Sequence, residues 1–201
     1  MDVVNNLDVG DLAEIIRKYG EERRYKQVAH AIVEARYTFG KISTTKQLAA
    51  IVESIYPEGS VLHDKMGRRA HVATRTFQAL RIFVNNELNE INIGLHIAND
   101  YLREGGVCVA ITFHSLEDRI VKRHFHGIDM TEEKCISIQQ RVRRAYRGHE
   151  HFKKEEMEEL LKQTWKPVKR GVITPEEEEC VNNPRSRSAK LRAAYKISSY
   201  E

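Results

Sequence analysis

Apolar residues recur every three or four positions through the first hundred residues, which is the spacing of one face of an α-helix. Three short amphipathic helices are predicted here. The first ends near Gly20, and the third begins at Thr44, where Gln47 completes a capping-box pattern, and ends before Pro57. Residues 3–70 are therefore expected to form a helical domain. The three apolar stripes are Leu12, Ile15, Ile16 and Tyr19; Tyr25, Val28, Ala29, Ile32 and Val33; and Leu48, Ile51, Val52 and Ile55.

A longer helical pattern runs from Thr74 to Arg103, and its length favours a break near Asn89 or Gly94. A continuous apolar run, residues 107–113, then follows two glycines. Such a run is typical of a strand that is buried on both faces of a parallel sheet. Another amphipathic helix comes next. The order helix, strand, helix favours the α/β class.

The last third of the chain is less regular. Residues 129–164 are rich in charge and weakly periodic, which favours a solvated helix or a flexible insertion over a binding arm. Residues 165–173 predict a strand pair or an extended segment. A short helix is expected to start with Thr174 as its N-cap and Pro175 in its first turn. A last strand is expected near residues 193–197.

The composition narrows the class of protein. The 201 residues include 33 Lys and Arg and 29 Asp and Glu, for a formal net charge of +4, and 41% of them are hydrophobic. This length indicates one domain or one and a half, with enough apolar residues for a core, and excludes a disordered chain. The longest apolar run is too short to cross a bilayer, so no membrane partner is expected. Nucleic-acid binding would have to depend on local basic clusters.

The cysteines and histidines give no signal for a metal. The three cysteines lie far apart with no CxxC pair, so neither a zinc site nor a disulfide framework is expected. The nine histidines include no HExxH pattern. No basic stretch followed by an apolar one opens the chain, so no targeting sequence is predicted.

Polar side chains follow the predicted strand directly, at His114, Ser115 and Glu117. In open α/β sheets ligands bind beyond the carboxyl ends of the strands, and a helix N-terminus attracts anions. One interpretation places His114 and Glu117 in a catalytic crevice while Ser115 caps the helix. The alternative is a capping box of Ser115 and Asp118 with no catalytic role.

Two further segments carry groups that suit phosphate. Residues 183–190 alternate Arg185 and Arg187 with serine hydroxyls, although a solvent-exposed basic segment explains them equally well. Thr74 and Arg75, at the start of the long helix, either cap it, which is favoured, or hold a phosphate. Neither GxGxxG nor GxxxxGK followed by Ser or Thr occurs in the chain.

Three long segments resemble the motifs of a known family. They read HVATRTFQALRIFVNNEL from residue 71, FHSLEDRIVK from residue 113 and NPRSRSAKLR from residue 183. Shorter matches are YGEE from residue 19 and AIV from residue 31. These blocks are similar to those of the RsmH/MraW family of S-adenosylmethionine-dependent methyltransferases, which methylate N4 of a cytidine in small-subunit ribosomal RNA. The charged insertion resembles the mitochondrial branch.

The resemblance implies a Rossmann-like methyltransferase domain that is interrupted by a helical substrate-recognition domain. Residues 3–70 would be that helical insertion and residues 74–201 the C-terminal part of the methyltransferase domain, with a variable insertion at 129–164. The family's Gly-Gly-His cofactor loop and acidic ribose-binding residue have no counterparts here, so no cofactor-binding residue is assigned. The chain is therefore expected to be an N-terminally truncated fragment that is inactive alone.

The resemblance also implies S-adenosylmethionine as cofactor and small-subunit ribosomal RNA, or the small ribosomal subunit, as partner. The mitochondrial matrix is the expected location, with the cytoplasm as the alternative. A non-catalytic RNA-binding or ribosome-assembly fragment is the alternative function. The expected base-pocket residues are His114, Ser115 and Glu117. The expected RNA-binding residues are Thr74, Arg75, Arg185, Arg187, Lys190 and Arg192.

Overall fold

The chain forms two compact units, Met1–Glu87 and Leu88–Glu201, which we call the helical unit and the sheet unit. The helix that begins at Thr74 packs on the second helix of the helical unit. The expected division into domains at 3–70 and 74–201 stays a prediction. All but the last residue of the expected insertion at 129–164 lies outside the described residues. The computed structural model describes residues 2–57, 59–60, 62–63, 69–128 and 164–197.

Short helices dominate the described part of the helical unit. The predicted capping box is confirmed at Thr44 and Gln47, each of which binds the other's backbone N–H. After the first four helices, two strands of two residues each pair antiparallel. The elements are α1 (Asp2–Asn6), α2 (Val9–Gly20), α3 (Tyr25–Phe39), α4 (Thr45–Glu53), β1 (Leu62–His63), β2 (Arg69–Ala70) and α5 (Thr74–Val84).

The predicted apolar stripes form the core of the helical unit. Each buried aliphatic side chain of this size contributes about 1.5–3 kcal/mol relative to leaving it in water. Helices this short are marginal in isolation, so burial of their apolar faces is what keeps them folded. The side chains at the centre of this core, all 2% exposed or less, are Leu12, Ile16, Val28, Ile32, Leu48 and Val52.

The long helical pattern is interrupted earlier than predicted. α5 ends at Val84, and α6 (Glu87–Tyr101) begins three residues later. Between them Asn86 has a φ of 52°. That left-handed conformation ends a helix, and asparagine adopts it more readily than most other residues with a side chain. The predicted break is therefore confirmed, but its expected position near Asn89 or Gly94 is wrong.

The described part of the sheet unit contains a small antiparallel sheet with the strand order β3-β5-β4. The two strands predicted after residue 106 and near residues 193–197 are confirmed, the second one beginning earlier than expected. Lys196 at the end of β5 donates to the carbonyls of Asn99 and Leu102 at the end of α6. The elements after α6 are β3 (Val107–Thr112), α7 (Ser115–Phe125), β4 (Trp165–Pro167), α8 (Glu177–Asn182), a 3-10 turn (Ser186–Ser188) and β5 (Lys190–Lys196).

One face of β3 is exposed. Cys108 and Ala110 pack against the core formed with α6 and α7, whereas Val107, Val109 and Ile111 are 44%, 57% and 57% exposed. Among the described residues β3 pairs with β5 alone, and that pairing is antiparallel. The prediction of a strand buried on both faces is therefore wrong, because the described helices cover one face. Mixed helices and strands fit the α/β class, and the Rossmann-like half-sheet stays a prediction.

The start of α8 also differs from its prediction. Its N-cap is Glu176, so the expectation that Thr174 caps the helix is wrong. Acidic residues at Glu177, Glu178 and Glu179 occupy the first turn, where the helix dipole stabilises negative charge. Before this helix, the segment expected to be a strand pair or extended chain forms β4 and a single bridge between Ile173 and Leu191.

Candidate functional site

The turn between β3 and α7 is held by His114 and Glu117. The Oε2 atom of Glu117 accepts hydrogen bonds from the backbone N–H groups of Phe113 (3.0 Å) and His114 (3.1 Å). The Nδ1 atom of His114 accepts from the backbone N–H of Leu116 at 3.3 Å. His114 is thus the N-cap, with extended backbone, and the predicted capping box of Ser115 and Asp118 is wrong by one position.

These capping hydrogen bonds determine which atoms of His114 and Glu117 remain as donors and acceptors. Because Nδ1 of His114 accepts a hydrogen bond, the ring is a neutral imidazole with its proton on Nε2. The Oε1 atom of Glu117 accepts no hydrogen bond from the described residues, while Oε2 is held by two amides. The half-buried carboxylate of Glu117 is therefore held in one position, and its Oε1 atom can accept a further hydrogen bond.

Strand pairing brings the start of β5 to this turn. Thr112, the last residue of β3, lies opposite Lys190 in the antiparallel register, and its Oγ1 donates to the Lys190 carbonyl at 3.4 Å. Two residues later, Arg192 forms an ion pair with Asp118 in the first turn of α7. The two segments that contain candidate site residues, 113–119 and 183–192, are thus in contact within the sheet unit.

A compact turn carries the arginines before β5. The buried Ser186 donates from Oγ to the carbonyl of Asn183 at 2.8 Å, and the Arg185 N–H donates to Asn183 Oδ1 at 3.3 Å. Arg185 is exposed, whereas Arg187 and Lys190 are half-buried. The turn is therefore internally hydrogen-bonded, and it presents three cations next to the start of β5.

Thr74 and Arg75 belong to the helical unit, whereas the other candidate residues belong to the sheet unit. Thr74 is the exposed first residue of α5, and the N-cap is Ala73, which makes no side-chain cap. The favoured interpretation, capping by Thr74, is therefore wrong. Arg75 is exposed, and its Nη1 donates to the backbone carbonyl of Glu21 at 3.3 Å.

His126 and Lys122 were missed by the sequence analysis. Burial lowers the pKa of His126 below its ordinary value, and the nearby cations Lys122 and Arg192 lower it further. The signal that would have found them is helical spacing, because Asp118, Lys122 and His126 recur every four residues on one face of α7. Lys122 and the paired Asp118 therefore lie on the same face as this partly buried histidine.

The glycines before β3 do not form a cradle for a cofactor. Gly105 and Gly106 lie at the amino end of the strand, whereas cofactor loops in open α/β sheets lie at the carboxyl ends. A Cβ atom on Gly106 would stand 2.8 Å from the Arg103 carbonyl oxygen, so packing closes this turn. The Gly105-Gly106 turn therefore does not fit a site for S-adenosylmethionine, and no cofactor-binding residue is assigned.

The described ranges contain no group of three or more His, Cys, Asp or Glu side chains that could hold a metal ion. No helix in the part of the chain that the structure describes is both long and apolar enough to cross a membrane.

Residues 1–197 match the MraW methylase family. The chain is 50% identical over 201 residues to the 12S rRNA N(4)-cytidine methyltransferase METTL15 of Mus musculus, covering 98% of the chain and 49% of that protein. It is 50% identical over 196 residues to the probable methyltransferase-like protein 15 homolog of Drosophila melanogaster, covering 97% and 53%.

A bacterial relative is similar over the same region. The ribosomal RNA small subunit methyltransferase H of Methylobacterium nodulans is 45% identical over 192 residues, covering 96% of the chain and 50% of that protein. The chain thus spans about half the length of the curated relatives that it matches.

Proposed function

The chain belongs to the MraW methylase family, and on that premise we propose that it is part of an S-adenosylmethionine-dependent methyltransferase acting on N4 of a cytidine in small-subunit ribosomal RNA. The names of the animal and bacterial relatives support this substrate. The animal relatives named for 12S rRNA favour the mitochondrial matrix over the cytoplasm as its location. S-adenosylmethionine would supply the methyl group.

The single observation that carries the proposal in this chain is the fixed carboxylate of Glu117. The exocyclic amine of cytosine is a hydrogen-bond donor, so a pocket that orients it must present an acceptor. The Oε1 atom of Glu117 is such an acceptor at a strand end, and two backbone amides hold its carboxylate in one position. Holding the amine in one orientation lowers the entropy cost of the reaction.

His114 and Ser115 complete the proposed base pocket. The neutral ring of His114 has its proton on Nε2, which suits donation to an acceptor on the base. Ser115 is the first residue of α7, so its hydroxyl lies at the positive end of the helix dipole. The pocket would therefore offer a donor, an acceptor and a hydroxyl to one edge of a flipped-out cytosine.

The RNA backbone would be held by cations in both units. Arg185, Arg187 and Lys190 surround the start of β5, and the ion-paired Arg192 retains Nη1 for a further donor contact. Thr74 and Arg75 would make a separate contact from the helical unit. Contacts of this kind position the RNA without selecting its sequence.

Methylation by a hybrid protein tests the role of Glu117. In the hybrid, these 201 residues replace the matching half of the Mus musculus relative. Glu117→Gln keeps an oxygen for the two backbone amides but replaces a carboxylate acceptor with an amide. We expect methylation of a small-subunit ribosomal RNA fragment to fall about 100-fold while the melting temperature stays close to that of the parent hybrid.

The matched control for this test is Glu104→Gln, which makes the same change at an exposed loop position before β3. It should leave methylation unchanged. Full activity in the Glu117→Gln hybrid would mean that Glu117 acts only as a helix cap.

Gel-shift measurements with the chain test the RNA contacts. Arg185→Ala and Lys190→Ala should each weaken binding and lower the slope of log K against log salt by about 1, because each removes one phosphate contact. Lys169→Ala, which removes an exposed cation beyond β4, is the control. Equal losses in all three variants would contradict a specific role for the turn before β5.

The alternative function is a non-catalytic RNA-binding or ribosome-assembly fragment. It rests on the same basic residues and needs no cofactor. Calorimetric titration of the 201-residue chain with S-adenosylmethionine separates the two functions for the chain alone. We expect no stoichiometric binding, and tight binding would show that these residues form a cofactor site by themselves.

A further inference from the structure

A groove crosses the helical unit between α2 and α5. Its volume is about 230 Å³, which is below the roughly 300–1,000 Å³ of ordinary small-molecule sites and is enough for one large side chain. None of the residues that line it is used by the proposed function. The side chains that line it are Leu7, Asp11, Glu14, Ile15, Lys18, Tyr19 and Phe83.

The wall of the groove is aromatic and incompletely covered. The rings of Tyr19 and Phe83 lie 6.1 Å apart between centroids, tilted by 41°. Phe83 is 40% exposed, and its neighbour Val84, at the end of α5, is 65% exposed. Exposed aromatic side chains beside an unfilled concavity are the usual anchors of protein–protein contacts.

The rim of the groove is acidic. Asp11 and Glu14 are exposed and lie one helical turn apart on α2, and the carboxylate of Asp8 caps the same turn. The single lysine, Lys18, holds its ammonium 5.5 Å from the centre of the Tyr19 ring. The local charge is therefore negative, so RNA phosphates are repelled and a cationic segment is attracted.

We propose that this groove docks a basic segment of a protein partner. One apolar side chain of the segment enters the groove between Tyr19 and Phe83, and flanking lysines or arginines face Asp11 and Glu14. The volume accommodates a single side chain, the aromatic rings provide its apolar contact, and the carboxylates select positive charge around it. Basic arms of this composition are common in proteins that bind nucleic acid.

Fluorescence anisotropy with a peptide panel tests the proposal. The probes are fluorescein-labelled nonapeptides with about three lysines or arginines around one Leu, Phe or Tyr, titrated with the full chain. We expect Phe83→Ser and Glu14→Lys each to weaken binding by about tenfold or more. Raising the salt from roughly 50 mM to roughly 300 mM should also weaken it, because the charges are at the surface.

The control variant is Glu34→Lys, which makes the same charge change at an exposed position of α3. It should bind the peptides as the wild-type chain does. Absence of binding by the whole panel, equal binding by Glu14→Lys, or preference for peptides with glutamate in place of the basic residues would each overturn the proposal. An RNA oligonucleotide whose binding is lost in Phe83→Ser and gained in Glu14→Lys would overturn it in favour of an RNA site.

Discussion

Arg192 binds Asp118 through two hydrogen bonds, from Nε to Oδ1 at 2.7 Å and from Nη2 to Oδ2 at 3.0 Å. The side chains of this pair are only 13% and 14% exposed. The contact joins β5 to the first turn of α7, so it fastens the two segments that carry the candidate site. Arg192 was expected from the sequence to bind RNA, and in the structure it also forms an ion pair with Asp118.

Removal of one partner should destabilise the sheet unit. Asp118→Ala leaves a nearly buried guanidinium without its counter-ion, and we expect the free energy of unfolding to fall by about 2–4 kcal/mol. Chemical denaturation measures it. Arg192→Ala and the double variant complete a mutant cycle, in which a coupling energy near zero would mean that the pair contributes nothing.

Gly20 should resist even the smallest substitution. A Cβ atom at this position would lie 2.7 Å from the backbone carbonyl oxygen of Arg75 on α5. Gly20→Ala therefore forces α2 and α5 apart, and we expect a loss of about 1–3 kcal/mol in the free energy of unfolding. Thermal or chemical denaturation of the chain checks it.

The matched control for Gly20 is Gly94, which lies within α6. Among the described residues, no atom outside its own helical turn lies within 4 Å of the position of a Cβ atom there. Gly94→Ala should leave stability unchanged or raise it by about 0.5–1 kcal/mol, because alanine favours a helix. A loss at Gly94 equal to that at Gly20 would contradict the packing explanation.

His124 should make the stability of the sheet unit depend on pH. Burial, and then the neighbouring His96, lower the pKa of His124 from 6.5 to about 4. The unfolded chain therefore binds this proton more readily, so stability is full above pH 6.5 and falls as the pH drops toward 4. Because His124 is only half-buried, solvent screening reduces this effect, and we expect His124 to account for about 1–2 kcal/mol of that fall.

Denaturation of His124→Phe at a series of pH values checks this expectation. Its free energy of unfolding should fall less steeply with acid than that of the wild-type chain. His30→Gln, at an exposed position of α3, provides a comparison. Parallel curves for His124→Phe and the wild-type chain would show that the buried histidine is not the source.

His114 should be replaceable by another capping residue without loss of stability. His114→Ala removes the acceptor for the Leu116 N–H, at a cost of about 1 kcal/mol, whereas His114→Asn supplies a strong N-cap and should restore stability. In the hybrid enzyme, we expect both variants to lose methylation. Full methylation by His114→Asn would limit this residue to capping.

Local pattern predicted the helices of the helical unit well. The apolar stripes around Leu12, Val28 and Leu48 became its core, and the box at Thr44 formed as expected. These features depend on neighbours within four residues, so a periodic sequence is sufficient to indicate them. The strand that starts at Val107 was predicted for the same reason.

The errors arose where distant residues or single dihedral angles decide the structure. The antiparallel partner of β3 lies about 80 residues later, and periodicity carries no information on pairing. The helix break depends on the left-handed Asn86. At the candidate site, His114 has an extended backbone, so it and not Ser115 is the N-cap of α7. The contact between Asp118 and Arg192 joins residues 74 positions apart, which local sequence patterns do not predict.

The central position of β5 sets an order of events during synthesis. β5 lies between β3 and β4, so neither outer strand has its partner until residues 190–196 have left the ribosome. The helical unit is compact within residues 1–87, so we expect it to fold before then. Until β5 is synthesised, the apolar strand β3 lacks its partner β5, and we expect the nascent chain to be most prone to aggregation in this interval.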